Sequence, residues 1–255
     1  MCLIVFAWRP GHATPLVLAA NRDEFYARPS LTLAPWDDAP QILAGRDLEA
    51  GGGWLGITED GRFAALTNIR AAQQPRSGRS RGELVAGFLR GSASPAAYLQ
   101  QVAAQLNDYA GFNLLVGDRN ELHLLNAREG LPRKLEAGIY GLSNAELDTP
   151  WPKLERARAS LVETLPQPSP ASLLALLEDD WQPPAELLPN TGIDPRWERI
   201  LGSIFIRSED YGTRASTALV VAADGSFEIA ERSFGQNGRR LGETGLRRPG
   251  PGLAQ

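Results

Sequence analysis

Short apolar runs bounded by turn residues recur along the chain and predict β-strands. The predicted strands cover residues 2–8, 15–20, 54–58, 62–68, 112–117, 121–127, 138–144, 203–207, 215–223 and 226–233. Four pairs of runs are joined by short turn sequences, namely Pro10-Gly11, Glu59-Asp60-Gly61, Asp118-Arg119-Asn120 and Asp224-Gly225. Since such turns join neighbouring antiparallel strands, we expect a hairpin at each of the four places.

Four further segments carry apolar residues at the three- and four-residue spacings of amphipathic helices. They are residues 82–90, 94–106, 151–165 and 170–179. Ser94-Pro95 and Ser169-Pro170 supply a cap and a first-turn proline for two of them. The order of strands, helices, strands, helices and strands favours an α+β fold in which antiparallel sheets are covered by helices.

We interpret residues 1–237 as a single domain and residues 238–255 as a polar C-terminal tail outside the core. The proline-rich stretch 181–195 predicts a long surface connection. The sequence contains no internal repeat.

The composition narrows the class of protein. Hydrophobic residues make up 43% of the 255 residues and charged residues 22%, as in ordinary globular proteins. With 26 basic and 30 acidic residues the formal net charge is -4, which argues against a dedicated nucleic-acid binder. No run approaches the ~18 consecutive apolar residues of a membrane span, and the opening run is too short for a signal peptide. We therefore expect a cytoplasmic protein with no membrane span.

The basic residues are unevenly divided. Lys134 and Lys153 are lysines and all the others are arginines, which we interpret as the coding bias of a GC-rich bacterial genome. Arg70, Arg76, Arg79 and Arg81 form an arginine-rich loop, interpreted either as a carboxylate or phosphate site or as a solvated loop.

Cys2 is the only cysteine, so the chain has no intramolecular disulfide and no zinc site built from several thiolates. A small residue after Met1 permits removal of the initiator methionine, which would leave Cys2 with a free α-amino group. Such a group has a pKa near 8, so part of it is neutral at about pH 7.5 and can act as a base. Cys2 would then hold both a nucleophile and a base for acyl transfer. The alternative is a small hydrophobic residue that begins a buried strand.

Polar residues elsewhere mark candidate sites. Arg22 and Asp23 belong to the string Asn21-Arg22-Asp23-Glu24-Phe25. One interpretation is that these charged side chains orient an amine or polarise a substrate. The other is that the string forms a solvated turn. Asn68, Asn144 and Arg214 stand at or just beyond the ends of predicted strands. Side-chain amides there can stabilise an oxyanion and a guanidinium can bind a carboxylate, although turn chemistry also explains them.

No cofactor is demanded by these patterns. His12 and His123 have no partner for a cysteine–histidine pair or a metal site, so we interpret them as surface or hydrogen-bonded histidines. Either histidine could ligate haem, but nothing nearby requires it. Gly51-Gly52-Gly53 lacks the lysine and hydroxyl residue of a P-loop and is a weak phosphate signal.

Eight sequence strings together resemble the NRDE family, whose members are also named transport and Golgi organisation protein 2 homologues. They are Met1-Cys2, NRDEFYARP at 21–29, GGWLGI at 52–57, ALTN at 65–68, RGELV at 81–85, GFNLL at 111–115, GLSNAELDTPWPKL at 141–154 and YGTRAST at 211–217. The resemblance implies an N-terminal nucleophile hydrolase fold, with two antiparallel sheets between helical layers (αββα). It also implies a relationship to penicillin V acylases and bile-salt hydrolases, whose nucleophile is a cysteine at position 2.

That resemblance assigns expected roles. Cys2 would attack an amide or ester carbonyl with its own amine as base, Asp23 would orient that amine, and Arg22 would help to stabilise the thiolate. Asn68 and Asn144 would occupy oxyanion or amine-contact positions, and Arg214 would complete the polar wall.

Two functions follow as hypotheses. The first is a cysteine amidohydrolase that acts on a small non-peptide amide or acyl compound and needs no cofactor. The second is a non-catalytic carrier or chaperone that uses the same pocket for haem, or for an acyl-CoA or lipid ligand. A protein-interaction module is a third and weaker reading. Nucleic acid is not an expected partner in any of them.

Overall fold

An antiparallel sheet with helices packed against it is built twice in this chain. The computed structural model describes residues 2–71 and 78–250. Unit 1 draws on Met1–Ala27, Arg70–Ala72 and Gly138–Gln255, and unit 2 on Arg28–Ile69 and Gln73–Ala137. None of the helices in the described residues has both the length and the apolar content needed to cross a membrane.

The elements are numbered in chain order. The described strands are β1 (Cys2–Trp8), β2 (Leu16–Phe25), β3 (Ser30–Trp36), β4 (Ala39–Asp47), β5 (Leu55–Thr58), β6 (Phe63–Asn68), β7 (Phe112–Gly117), β8 (Leu122–Asn126), β9 (Arg133–Lys134), β10 (Gly138–Leu142), β11 (Tyr211–Val221), β12 (Phe227–Gly235) and β13 (Arg239–Arg248). The described α-helices are α1 (Gly82–Arg90), α2 (Pro95–Ala103), α3 (Pro152–Thr164), α4 (Pro170–Leu176) and α5 (Pro195–Ile200). Single turns of 3₁₀-helix lie at Leu106–Asp108, Ala185–Leu187 and Gln236–Gly238.

Unit 1 is organised around the hairpin of β1 and β2. The strand order is β10-β1-β2-β11-β12-β13, so this hairpin lies inside the sheet, and Cys2 pairs with Arg22 in its register. Gly11 in the turn has φ +86°, a left-handed conformation that glycine adopts without a steric penalty. Helix α3 packs on β1 and β10, and α4 packs on β2, β11 and β12.

The core of unit 1 lies between this sheet and its helices. Small and branched apolar side chains fill it, among them Leu3, Val5, Val17, Ala19, Leu154, Leu161, Leu173 and Leu174. Each leucine or valine buried in this way contributes roughly 1.5–3 kcal/mol. Ser169 and Ser172 form a reciprocal capping box that satisfies backbone groups at the start of α4.

Unit 2 is a meander whose seven strands follow chain order from β3 to β9. Helices α1 and α2 pack on this sheet around Phe88, Leu99 and Phe112. The triple glycine has a packing role here, because a Cβ at Gly52 would lie 2.4 Å from the backbone carbon of Gly82. That close approach explains the glycine at position 52.

The α+β class is confirmed, as are the four hairpins (β1–β2, β5–β6, β7–β8 and β11–β12) and the positions of α1 to α4. Each unit supplies one sheet and one helical layer, the pair of components that an αββα arrangement contains twice. The organisation of residues 1–237 as one domain stays a prediction.

Other sequence predictions were wrong. Residues 203–207 form no strand, because their backbone is held by isolated bonds such as Phe205 N–H to the Asp179 carbonyl at 2.8 Å. Strands β3 and β4 were missed, since Pro35 and Pro40 interrupt their apolar pattern. A strand within residues 238–255 was also missed, namely β13, an edge strand whose side chains are mostly exposed, and the assignment of this segment as a polar tail stays a prediction.

Candidate functional site

Cys2 opens β1 at one end of the unit 1 sheet and is half-buried. Its register partner on β2 is Arg22, and on the other side of β2 Arg22 pairs with Ala215 of β11. The Ser143 hydroxyl donates to the Cys2 carbonyl at 3.1 Å. Three segments distant in sequence therefore meet around the start of β1.

The string Asn21-Arg22-Asp23 is not a solvated turn. All three residues continue β2 and are buried, so the alternative reading of a surface loop was wrong. The Asn21 amide donates to the carbonyls of Leu177 at 3.0 Å and Ile204 at 2.8 Å. Its oxygen accepts a hydrogen bond from Ser216 at 2.6 Å. Asn21 thus ties β2 to the end of α4 and to the segment before β11, a structural role that sequence reasoning missed.

Asp23 is a buried carboxylate with a defined orientation. Its side chain is 1% exposed and accepts a hydrogen bond from Thr213 Oγ1 at 2.8 Å. The Tyr211 hydroxyl donates to the Asp23 backbone carbonyl at 3.0 Å. Burial raises the pKa of Asp23, while the positive charge of Lys153, the Thr213 hydrogen bond and Arg70 lower it. The carboxylate form therefore depends on the cations around it.

Arg214 lies at a β-bulge. The register of β11 against β2 shifts between Thr213 and Ala215, which leaves Arg214 as the extra residue. Its guanidinium donates to the carbonyls of Phe25 at 3.0 Å and Tyr26 at 3.2 Å. Burial lowers the pKa of Arg214, and the like charge of Arg22 adds to this effect. Arg214 is thus held to the end of β2, and its proposed contact with a ligand stays a prediction.

Arg214 also lines a cavity of about 850 Å³ in unit 1. The aromatic rings of Tyr26 and Phe234 and the charged residue Arg239 contribute to the same cavity. This volume falls in the range of small-molecule pockets, roughly 300–1,000 Å³.

The two predicted asparagines belong to different units. Asn144, just after β10, is 0% exposed, and its backbone carbonyl accepts from the Arg70 N–H at 2.7 Å. Ser143 Oγ lies 3.3 Å from Asn144 Oδ1, so Asn144 shares a hydrogen-bonding neighbour with the Cys2 carbonyl. Asn68 is the last residue of β6 in unit 2, opposite Phe112. Its role beside Cys2 stays a prediction.

Arg70 belongs to a buried ion pair that the sequence did not suggest. Arg70 and Glu198 are 3% and 5% exposed, and Nη1 lies 2.5 Å from Oε2. The Thr191 N–H and hydroxyl also donate to Glu198, at 2.8 and 2.5 Å. The guanidinium stacks 4.6 Å from the Trp151 ring centroid, and burial lowers the pKa of Arg70.

The interpretation of an arginine-rich loop therefore does not hold for Arg70. Arg79 forms an ion pair with Glu83 at 2.6 Å, and Arg81 donates to the Gly111 carbonyl at 3.1 Å. Arg76 lies outside the described residues.

Lys153 is the most unusual member of this cluster. It lies in the first turn of α3 and is 2% exposed, and within residues 2–71 and 78–250 its Nζ has no hydrogen-bond partner. Burial and then the charge of Arg70 lower its pKa to about 8, although Asp23, Cys2 and Glu198 favour the ammonium form. Sequence reasoning missed this residue.

Opposing electrostatic effects act on the pKa of the Cys2 thiol. Burial raises the pKa of Cys2, and the negative charges of Asp23 and Glu24 act in the same direction, whereas Arg22 lowers it. A thiol with a raised pKa is mostly protonated at neutral pH, so attack on a carbonyl requires a base or a compensating cation.

Neither histidine is placed to extend this cluster. Within the part of the chain that the structure describes, no group of three or more His, Cys, Asp or Glu side chains could hold a metal ion. His123 Nε2 lies 3.1 Å from Glu121 Oε2 in unit 2, and His12 Nδ1 accepts from the Thr14 N–H at 3.2 Å. His12 is thus hydrogen-bonded, as interpreted, whereas His123 Nε2 lies close to Glu121 without forming a hydrogen bond among the described residues.

Comparison with known proteins identifies relatives over nearly the whole chain. The sequence profile of the family described as Transport and Golgi organisation 2 matches residues 1–236. The Transport and Golgi organization protein 2 homolog of Bos taurus is 38% identical, over 92% of this chain and 93% of that protein. The Homo sapiens homolog is 37% identical with the same coverage. The Drosophila melanogaster Transport and Golgi organization protein 2 is 28% identical over 92% of each chain.

Among solved structures, this chain is similar to the C2A mutant of the conjugated bile acid hydrolase from Clostridium perfringens. The TM-score is 0.50, and the match covers 97% of this chain and 92% of that one. Because the sequences are 8% identical, the likeness concerns the fold alone. The fold is that of the N-terminal nucleophile hydrolases, as the sequence strings implied.

Proposed function

From the premise that this chain belongs to the Transport and Golgi organisation 2 family, we propose that it is an N-terminal cysteine amidohydrolase. Its substrate would be a small non-peptide amide or a related acyl compound. One observation carries the proposal. The single thiol of the chain opens β1 opposite Arg22, and the charges of Arg22 and Asp23 act on it. The solved hydrolase that shares this fold was a C2A mutant, so in that protein too a cysteine stood at position 2.

In the proposed reaction, the Cys2 sulfur attacks the carbonyl carbon of the amide. The thiol proton passes to the α-amino group of Cys2 and then to the leaving amine as the C–N bond breaks. Water next attacks the thioester, and the carboxylic acid leaves as the thiol is restored. The sum is amide plus water to carboxylic acid plus amine, and no oxidant or cofactor takes part.

The other residues would serve this reaction in different ways. Asp23 would orient the α-amino group, and Arg22 would favour the thiolate. Asn68 and Asn144 would donate to the tetrahedral oxyanion, where one such donor contributes about 10²–10³-fold in rate. Arg214 would contact the substrate from the cavity that it lines.

The proposal requires that Met1 be removed, since otherwise Cys2 has no free amine. Met1 lies outside the described residues. The intact mass of the purified chain tests directly whether Met1 has been removed. A mass that still includes Met1 would contradict the α-amino mechanism.

A covalent probe tests the nucleophile. Because Cys2 is the only cysteine, a thiol-reactive β-lactone should add one equivalent to the folded chain and none to Cys2→Ala. The heat-unfolded wild-type chain is the control for reactivity that depends on the fold. The same pair is then compared on a panel of N-acyl amides.

Full turnover by Cys2→Ala would contradict the proposal. Saturable binding of haemin or an acyl-CoA, equal in both proteins and without turnover of any amide, would instead favour the carrier considered from the sequence.

A further inference from the structure

Lys153 presents a buried ammonium whose purpose neither packing nor the proposed reaction explains. A charge taken out of water without a hydrogen-bond partner is costly, and an apolar residue of similar volume usually serves stability better. Yet Lys153 is 2% exposed, and its Nζ has no hydrogen-bond partner among the described residues. A structural role alone therefore leaves the choice of lysine unexplained.

The segment before α3 and the start of the helix are anchored to β10. Asp148 Oδ1 accepts from the Gly141 N–H at 2.7 Å and from Arg158 at 3.1 Å. Leu154 packs directly on β10, since a Cβ at Gly141 would lie 2.7 Å from the Leu154 side chain. Helix α3 also contacts β1, the strand that Cys2 opens.

The groups that act on Lys153 come from several elements. Cys2 of β1, Asp23 of β2 and Glu198 of α5 favour its charged form, and Arg70 opposes it. The other elements packed against α3 are β10 and α4, whose sequences contain no charged residue.

The charged residues of α3 itself are partly exposed and largely paired elsewhere. Arg156 pairs with Asp179, and Arg158 pairs with Asp148 and Glu155. They therefore add little to the field at Lys153.

The charges that act on Lys153 indicate which groups its ammonium stabilises. Glu198 is neutralised by Arg70 at 2.5 Å. Of the groups that favour the charged form of Lys153, this leaves the Asp23 carboxylate and the Cys2 thiol. The buried Lys153 ammonium therefore interacts electrostatically with both of them.

We propose that Lys153 is a positioning residue whose ammonium allows the Asp23 carboxylate and the Cys2 thiolate to exist side by side. The inference deepens the proposed function, on which it rests for its purpose, but it is measurable without any substrate. Burial lowers the pKa of Lys153 to about 8, so the supporting charge is present at neutral pH and is withdrawn at higher pH.

The chain contains one cysteine and two lysines, so signals from the thiol and from each lysine can be assigned without ambiguity. The rate of Cys2 alkylation by iodoacetamide is measured against pH in the wild type and in Lys153→Met, Lys153→Arg and Lys134→Met. Lys134 is exposed and serves as the matched control. We expect alkylation at pH 7.5 to fall about tenfold in Lys153→Met, as a one-unit rise in the thiol pKa requires. Lys153→Arg and Lys134→Met should stay near the wild-type rate.

A second measurement keeps the test decisive if Lys153→Met does not fold. Protein labelled with [¹³Cε]lysine should give two lysine signals, one with a titration midpoint near pH 8. Lys134→Met assigns that signal to Lys153. Its midpoint should fall in Cys2→Ala and in Asp23→Asn, because each variant removes an acidic group that favours the ammonium.

Unchanged alkylation in a folded Lys153→Met, or an unchanged lysine midpoint in both Cys2→Ala and Asp23→Asn, would overturn the inference. The proposed function fails separately. If the chain turns over no amide but the Lys153 substitutions still change Cys2 reactivity, the inference stands and the proposed function fails. If amide turnover requires Cys2 but does not depend on Lys153, only the proposed function stands.

Discussion

The two units each bury a polar cluster, and the clusters differ in charge. In unit 2, Asn113 donates to Thr67 at 3.0 Å and accepts from Asn126 at 2.8 Å, which links β6, β7 and β8 through neutral groups. In unit 1, the cluster around Asp23 and Lys153 consists of ions, which are far more expensive to bury than amides.

The difference separates a structural cluster from a functional one. Satisfied amides cost little and fix the pairing of adjacent strands, so stability is a sufficient reason for Asn113. Buried ions with shifted pKa values, such as those of Cys2, Asp23 and Lys153, lower stability and are typical of sites that perform chemistry. Substitutions in the charged cluster of unit 1 should therefore act mainly on reactivity, and those in the amide cluster of unit 2 on stability.

The largest effect should come from Asp23→Asn. The neutral amide keeps the shape of the side chain but cannot hold a cationic amine, so acylation of Cys2 by the β-lactone should fall about 100-fold or more. Kinetic labelling followed by mass spectrometry measures this. Circular dichroism and thermal unfolding should show a folded chain, and a folded variant with the wild-type rate would break the comparison.

Asn113→Ala should have the opposite profile. Loss of the amide leaves Thr67 and Asn126 with unsatisfied groups, so the free energy of unfolding should fall by about 2 kcal/mol. Acylation of Cys2 per folded molecule should not change. Urea unfolding measures the loss, with the exposed Asn120→Ala as control, and equal values for the two variants would refute the structural role of Asn113.

A smaller effect should appear in the pH dependence of stability. Because burial lowers the pKa of Lys153 to about 8, this side chain binds more protons in the unfolded chain than in the folded chain above that pH. The free energy of unfolding should therefore rise by about 2 kcal/mol from this residue between pH 8 and pH 10. The difference between the wild type and Lys153→Met should show this rise. Asn113→Ala, which has no ionisable group, should track the wild type across the same range.

Much of the fold was predictable because it depends on local patterns. The β1–β2 hairpin follows from two apolar runs around Pro10-Gly11, and α2 and α4 follow from serine caps and first-turn prolines. The continuation of β2 through Asn21 and Asp23 was not predictable in this way. Those side chains are buried because β1 and β11 flank them and distant carbonyls satisfy Asn21.

The candidate site was likewise predictable only where local sequence patterns mark its residues. Sequence strings pointed to Cys2, Asp23 and Asn144. They did not point to Lys153 or to the ion pair of Arg70, since the partners of these two residues lie far away in the chain. One signal for Lys153 was present. It lies four residues before Ala157, which is 0% exposed, so the two occupy the same buried face of α3. In a chain so poor in lysine, that placement was the available clue.

Because of the bulge at Arg214, the hydrogen bonds that β11 makes to β2 depend on the length of β11 as well as on its residue types. Thr213 and Ser216 are three residues apart, a spacing that in a regular strand directs side chains to opposite faces. The extra residue brings both hydroxyls to the face where Asp23 and Asn21 accept their hydrogen bonds. Deletion of one residue here would turn one hydroxyl away, whereas substitution of Arg214 would keep both aligned. We therefore expect relatives to keep the number of residues between the two hydroxyls.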